Sequence, residues 1–165
     1  MLFRSYQGMR LSGLYQINDD WDLLVQQSYQ KMDADGMSTQ FPLGIDFQPL
    51  GKLEHNAFLP SWNKDKWEST AWTLNGKISN LNVIYTGSYL SRDIDANQDY
   101  TNYARGVYGT YYQCTGYSGA SVDKCYSPSS VWTDVTENKN QSHELRFSTP
   151  ADWRLRGIAG LFWEK

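Results

Sequence analysis

The side chains best equipped for molecular recognition gather between residues 100 and 117. Tyr100, Tyr103, Tyr108, Tyr111, Tyr112 and Tyr117 supply flat, amphipathic rings that stack on sugars or aromatic chelators and hydrogen-bond through their hydroxyls. The same rings serve equally well to pack a loop against itself. Arg105, in their midst, could meet an anionic ligand, although a solvated guanidinium is its plainer role. Cys114 and Cys125 lie in the same polar, Tyr-rich segment. If they pair in an oxidising compartment, the short loop they close is stabilised by roughly 3 kcal/mol in the chain-entropy model. Two independent thiols are the alternative.

Other reactive groups are sparsely placed. The stretch Asp93-Ile94-Asp95-Ala96-Asn97-Gln98-Asp99 imitates the opening of a calcium loop, but Gln98 stands where that loop needs Gly, and Ala104 where it needs Glu. Asp33-Ala34-Asp35-Gly36 reads as entry into a loop. His55 and His143 are the only histidines, and neither stands at a ligand spacing from the cysteines, so no metal site is expected. Glu54-His55 and His143-Glu144 are the only His-carboxylate neighbours, and adjacent residues on a strand point to opposite faces. With no nucleophile motif or phosphate-binding glycine loop, the expectation is a binding protein without catalysis or cofactor.

The elements that must position these groups show a period of two. Met9, Leu11, Gly13, Tyr15 and Ile17 alternate with Arg10, Ser12 and Gln16, and Trp21, Leu23, Val25, Gln27 and Tyr29 alternate with Asp22, Gln26 and Ser28. A tight turn near residues 18–20 pairs Ile17 with Trp21 and puts both apolar rows on one face. In the next hairpin Asn75-Gly76 is the strongest local turn signal, yet a turn there sets apolar rows against polar ones. A two-residue turn at Ser79-Asn80 instead aligns Thr70, Trp72, Leu74, Gly76 and Ile78 with Leu81, Val83, Tyr85, Gly87 and Tyr89. The third hairpin is expected to run from His143 to Thr149, turn at residues 150–152 and return from Trp153 to Trp163. Its opposite face carries Glu144, Arg146, Arg154 and Arg156, a charge ladder. Asp20-Trp21-Asp22-Leu23 and Asp152-Trp153-Arg154-Leu155 echo each other just after a tight turn.

The connections are thus short, long, short, long, short, with the long ones near residues 33–65 and 93–140. Both long connections fall at one end of a six-stranded meander, and the apolar face lacks Asp, Glu, Lys and Arg over its central span. Dyad alternation with this loop asymmetry is the pattern of transmembrane β-barrels of the bacterial outer membrane. Trp21, Tyr29, Tyr89, Trp153 and Trp163 are expected to form aromatic girdles at its two interfaces. The chain has no run of 18 apolar residues, which excludes a membrane-spanning helix but not a barrel. Its 165 residues, with 20% charged, would also suit a soluble β domain, whose core face alternates in the same way. A net charge of -3 argues against a nucleic-acid partner.

The stretch Ser142-His143-Glu144-Leu145-Arg146-Phe147-Ser148-Thr149-Pro150, running on into Trp153-Arg154-Leu155-Arg156 and Gly160-Leu161-Phe162-Trp163-Glu164, resembles the barrel of TonB-dependent outer-membrane receptors. Gly13-Leu14-Tyr15-Gln16-Ile17-Asn18-Asp19-Asp20-Trp21 and Tyr85-Thr86-Gly87-Ser88-Tyr89-Leu90 are similar to other stretches of that barrel. The resemblance implies an all-β fold, part of a 22-stranded transmembrane barrel in the cell outer membrane, surrounded by lipid. It further implies uptake of a scarce small-molecule ligand such as a ferric siderophore, cobalamin or an oligosaccharide, powered by a TonB complex acting through a plug domain. No plug, TonB-contacting box or secretory signal is expected within residues 1–165, so the chain reads as a partial barrel that needs the remainder of its own barrel and plug. A piece of a passive porin and a secreted carbohydrate-binding β domain are the alternatives.

Overall fold

A computed structural model describes the backbone of residues 3–36, 41–106, 114–118 and 121–165; between residues 107 and 123 no side chain is described. The chain is all-β and antiparallel. Strands β1 (Phe3–Asn18), β2 (Trp21–Asp35), β3 (Trp62–Ile78), β4 (Leu81–Asp99), β7 (Val131–Ser148) and β8 (Ile158–Glu164) form a six-stranded meander in the order β1-β2-β3-β4-β7-β8, not closed into a barrel. Between β4 and β7 lie a short helix, α1 (Thr101–Ala104), and a two-stranded hairpin of β5 (Cys114–Ser118) and β6 (Ser121–Cys125). By backbone contacts the residues form two compact units. One holds 1–5, 32–64 and 94–135, and the other holds 6–31, 65–93 and 136–165.

Within the second unit, local chemistry sets the turns. Asp19 and Asp20 link β1 to β2, with the Asp20 N–H donating to Asn18 Oδ1 at 3.0 Å, an Asx turn. Ser79 and Asn80 link β3 to β4, and Ser79 takes a left-handed φ of 56°, as the first central residue of a primed two-residue turn must. Asn75-Gly76 lies inside β3 instead. Its glycine makes room for the Trp21 ring, since a Cβ there would sit within the indole. Gly87 plays the same part for Trp72.

The third hairpin differs from expectation. β7 ends at Ser148 and β8 begins only at Ile158, so residues 149–157 form the connection and Trp153, Arg154 and Arg156 are not strand residues. Ser148 pairs with Ile158, Leu145 with Leu161 and His143 with Trp163. Trp153 is therefore not a girdle residue carried on a strand. The charge ladder shrinks to Glu144 and Arg146, which pair at 3.2 Å. The connection is closed by the Thr149 N–H on the Gly157 carbonyl at 3.1 Å and the Gly157 N–H on Thr149 Oγ1 at 3.0 Å.

The two faces of this unit are chemically distinct. One face carries polar rungs: Arg10 to Ser28 at 3.2 Å, Gln26 to Ser12 at 3.2 Å, Asn75 to Asp22 at 2.9 Å and Ser88 to Ser142 at 2.8 Å. The other is apolar and lies open on the edge strands, where Met9 is 70% exposed, Leu11 76% and Leu161 76%, while on the central strands its side chains cover one another and Val83 is 5% exposed. Among the described residues of the whole chain the only buried hydrophobic ones are Ala34, Val83 and Ala104. A sheet normally buries an apolar face against a second layer. Here the described residues supply none.

Candidate functional site

Of the predicted ligand residues, the first unit holds Tyr100, Tyr103 and Arg105 among the described residues. Asp99, 5% exposed, gathers the segment 58–61 around one carboxylate. Its Oδ2 accepts the Phe58 N–H at 2.5 Å and the Leu59 N–H at 3.0 Å, its Oδ1 accepts the Thr101 N–H at 3.0 Å, and its own N–H donates to Ser61 Oγ at 2.9 Å. Burial pushes this carboxyl up, but the hydrogen bonds from Thr101, Phe58 and Leu59 together outweigh it and hold Asp99 below the usual carboxylate range. Asn97 Nδ2 donates to the Pro60 carbonyl at 2.9 Å, and Asn102 Nδ2 to the Asn56 carbonyl at 3.0 Å. The 36–61 connection is thereby laced to the end of β4.

On that frame three rings come together. The Tyr100 ring lies 4.8 Å from Tyr103 and 5.9 Å from Trp132, centroid to centroid. Tyr103 is 43% exposed and Trp132 59%. The Tyr100 N–H donates to the Ser130 carbonyl at 2.9 Å, and the Ser130 N–H donates to Thr101 Oγ1 at 3.2 Å, which fixes the start of β7 beside α1. Trp132 escaped the sequence reading because it lay in a presumed loop. The alternation that begins at Val131 was the signal that could have found it. Exposed rings held by a rigid backbone offer contact area at small entropic cost.

Arg105 is differently placed than a ligand-gripping cation would be. Its Nη2 donates to the Gly44 carbonyl at 2.5 Å and its Nη1 to the Ile45 carbonyl at 3.0 Å. The guanidinium carbon also lies 4.4 Å from the Phe47 ring centroid and 5.0 Å from that of Phe58. Phe47 has a left-handed φ of 60°, uncommon for a bulky residue, and this bend brings its ring under the arginine. Tyr108, Tyr111 and Tyr112 lie outside the described residues. Tyr117 sits on β5 opposite Val122, with its side chain likewise outside the description. Cys114 and Cys125 are backbone partners across the β5–β6 hairpin; Cys125 is disulfide-bonded and no free cysteine is present.

The carboxylates of the calcium-like stretch take separate partners: Asp95 accepts the Trp62 indole N–H at 3.2 Å, while Asp99 holds backbone N–H groups. Among the described residues no group of three or more His, Cys, Asp or Glu side chains could hold a metal ion. In the second unit His143 has both ring nitrogens in hydrogen bonds, Nδ1 with the Tyr85 hydroxyl at 2.7 Å and Nε2 with Gln141 Nε2 at 2.9 Å. Trp72 and Trp163 flank it with centroids at 5.9 and 5.5 Å. Of the other girdle residues, Trp21 packs over Gly76, Tyr29 has Lys66 Nζ 6.0 Å from its ring centroid, and Tyr89 is 41% exposed.

No protein-family model, no curated protein and no solved structure matches the chain.

Proposed function

We propose that the chain is a section of the barrel of a TonB-dependent receptor in the cell outer membrane, binding a scarce ligand at its long connections and importing it without enzymatic chemistry. The observation that carries this reading is the single-layer, six-stranded sheet whose polar face is cross-linked by hydrogen bonds while its apolar face stays open. A secreted sandwich domain covers such a face with a second sheet. A barrel wall turns it to lipid. The family assignment rests on the motif resemblance alone, and a passive porin shares the same wall. The partners in this reading are lipid, the rest of the barrel and its plug, the TonB complex through that plug, and a small ligand such as a ferric siderophore, cobalamin or an oligosaccharide.

The test uses the full-length gene product that carries this chain, expressed in a Gram-negative host. Recovery in the outer-membrane fraction, with energy-dependent cross-linking to a TonB-type protein, is the expected result. Recovery as a soluble monomer with a cooperative melt in buffer sinks the barrel, and outer-membrane recovery without the cross-link favours the porin.

A further inference from the structure

Charge sorts the ligands that the first unit can hold. Eight carboxylates and five cations lie in that unit, and ten of each in the second, so the chain's net charge of -3 belongs wholly to the unit with the long connections. Arg105, which follows the exposed rings in sequence, is committed to the Gly44 and Ile45 carbonyls, and its Nε is shut off from solvent without a partner among the described residues. Lys124 Nζ lies 4.9 Å from the Tyr126 ring centroid. Asp134 stands two residues beyond Trp132 on β7 and therefore on the same strand face. An anionic chelate meets a repelling field here, and the guanidinium beside the rings is already engaged.

The rings form a stepped surface. Tyr100 is shared by Tyr103, tilted 34° to it, and Trp132, tilted 51°, and these two outer rings are the more exposed. Hydrogen bonds of Asp99 and Ser130 fix the backbone beneath them, so little freedom is lost when a ligand docks. The bond from the Tyr100 N–H to the Ser130 carbonyl also sets the register of β4 against β7, which puts Gln98 beside Trp132. On the opposite face the same register lets Thr133 Oγ1 donate to Asn97 Oδ1 at 3.1 Å. Gln98 is exposed and brings both an amide donor and a carbonyl acceptor to the strand position next to the indole. A flat apolar surface with neutral donors and acceptors at its border matches a pyranose, whose C–H face is apolar and whose hydroxyls ring the edge.

We propose that the surface of Tyr100, Tyr103 and Trp132 seats a neutral oligosaccharide, with one sugar ring stacked on Trp132, Gln98 hydrogen-bonding its hydroxyls, and the neighbouring sugar over Tyr103. The inference rests on the receptor reading and adds the class of ligand and its seat, setting aside the anionic ferric chelates that the reading also admits. Recognition then depends on ring shape and hydroxyl pattern, and salt has little hold on it.

The experiment uses the full-length gene product in detergent. The probes are immobilised neutral glucan, mannan, xylan and galactan oligosaccharides, their uronic-acid counterparts, ferric tris-catecholate and cyanocobalamin. A neutral oligosaccharide is expected to bind, with an affinity that changes by less than about twofold between about 50 and 500 mM salt. Trp132→Ala and Tyr103→Ala should each weaken it about tenfold or more, Gln98→Ala about three- to tenfold, and Trp132→Phe less than Trp132→Ala. Hydrogen exchange at Phe58, Leu59 and Thr101 should match the parent in each variant, which separates loss of the seat from loss of the fold. Preference for the catecholate, the uronic acids or cyanocobalamin overturns the ligand class, and neutral binding that survives both alanine variants overturns the seat. If no neutral oligosaccharide binds to a protein that still fractionates with the outer membrane and cross-links to a TonB-type protein, this inference alone is overturned. A soluble protein that binds the sugar overturns the receptor reading and upholds the seat.

Discussion

Asp99→Ala is the sharpest perturbation of the ligand-side unit. The carboxylate accepts three backbone N–H groups, from Phe58, Leu59 and Thr101, at 2.5 to 3.0 Å, in a site only 5% exposed. Alanine leaves all three donors without their acceptor. An unsatisfied buried donor costs about 1–3 kcal/mol, and because water can enter the vacated space the sum is closer to about 3–6 kcal/mol than to the maximum. At about 1.4 kcal/mol per factor of ten, exchange of those three amide hydrogens should accelerate by roughly 10²- to 10⁴-fold, unless the unit's own unfolding caps it. Asp99→Asn keeps one acceptor oxygen and should fall between. The assay is residue-resolved hydrogen exchange, with amides of β3 and β4 near Trp72 as the internal reference. Acceleration below tenfold at Phe58, Leu59 and Thr101, with the reference unchanged, would refute the claim that this carboxylate organises the connection.

The same group predicts a pH dependence. Because its folded pKa is depressed, its stabilisation is fully present above the unfolded value of about 3.9 and is lost as pH falls through the folded value; protection of the three amides, corrected for intrinsic exchange, should hold from pH 7 to 5 and decline below about 4. Gly87→Val forces a side chain into the Trp72 ring and should cost about 1–3 kcal/mol by urea midpoint in detergent, whereas Gly13→Val, with nothing within 4 Å of its Cβ, meets no such obstruction. Arg105→Ala removes two guanidinium-to-carbonyl bonds and should speed exchange at the Gly44 and Leu50 amides about 10- to 100-fold; an unchanged rate would return Arg105 to the pool of free ligand-binding cations. Reduction of the disulfide should loosen β5–β6 by about 3 kcal/mol, read as faster exchange at Thr115 and Lys124, while the β7–β8 ladder stays protected.

Strand identity and facing were legible in the residues because alternation has a period of two, and a slip by one residue would turn every apolar side chain over. That is why Ser79-Asn80 could be preferred over Asn75-Gly76, and why the Thr70–Gln27 and Tyr85–His143 contacts fall on the face read as apolar. The disulfide hairpin was less legible. Its strands are five residues each and sit among turn-forming residues, so only the flanking cysteines marked it.

What alternation cannot fix is an even slip. A turn at 150–152 and the observed 149–157 connection differ by four residues in register, and both keep the same face inward. The choice fell to tertiary contacts: Trp163 against the His143 ring, and Asn140 Nδ2 donating to Glu164. Long-range packing likewise brought Trp132 to Tyr100, committed Arg105 to Gly44 and Ile45, and gave Gly76 and Gly87 their purpose beneath Trp21 and Trp72. The sequence by itself determined the central parts of the six meander strands and which face each of their residues shows, because those depend on local periodicity; it did not fix the strand ends, which run past Asp93 on β4, begin at Val131 on β7 and only at Ile158 on β8. Only the tertiary structure decided which residues meet across strands and connections, because those meetings depend on ring shapes and backbone donors far apart in the chain.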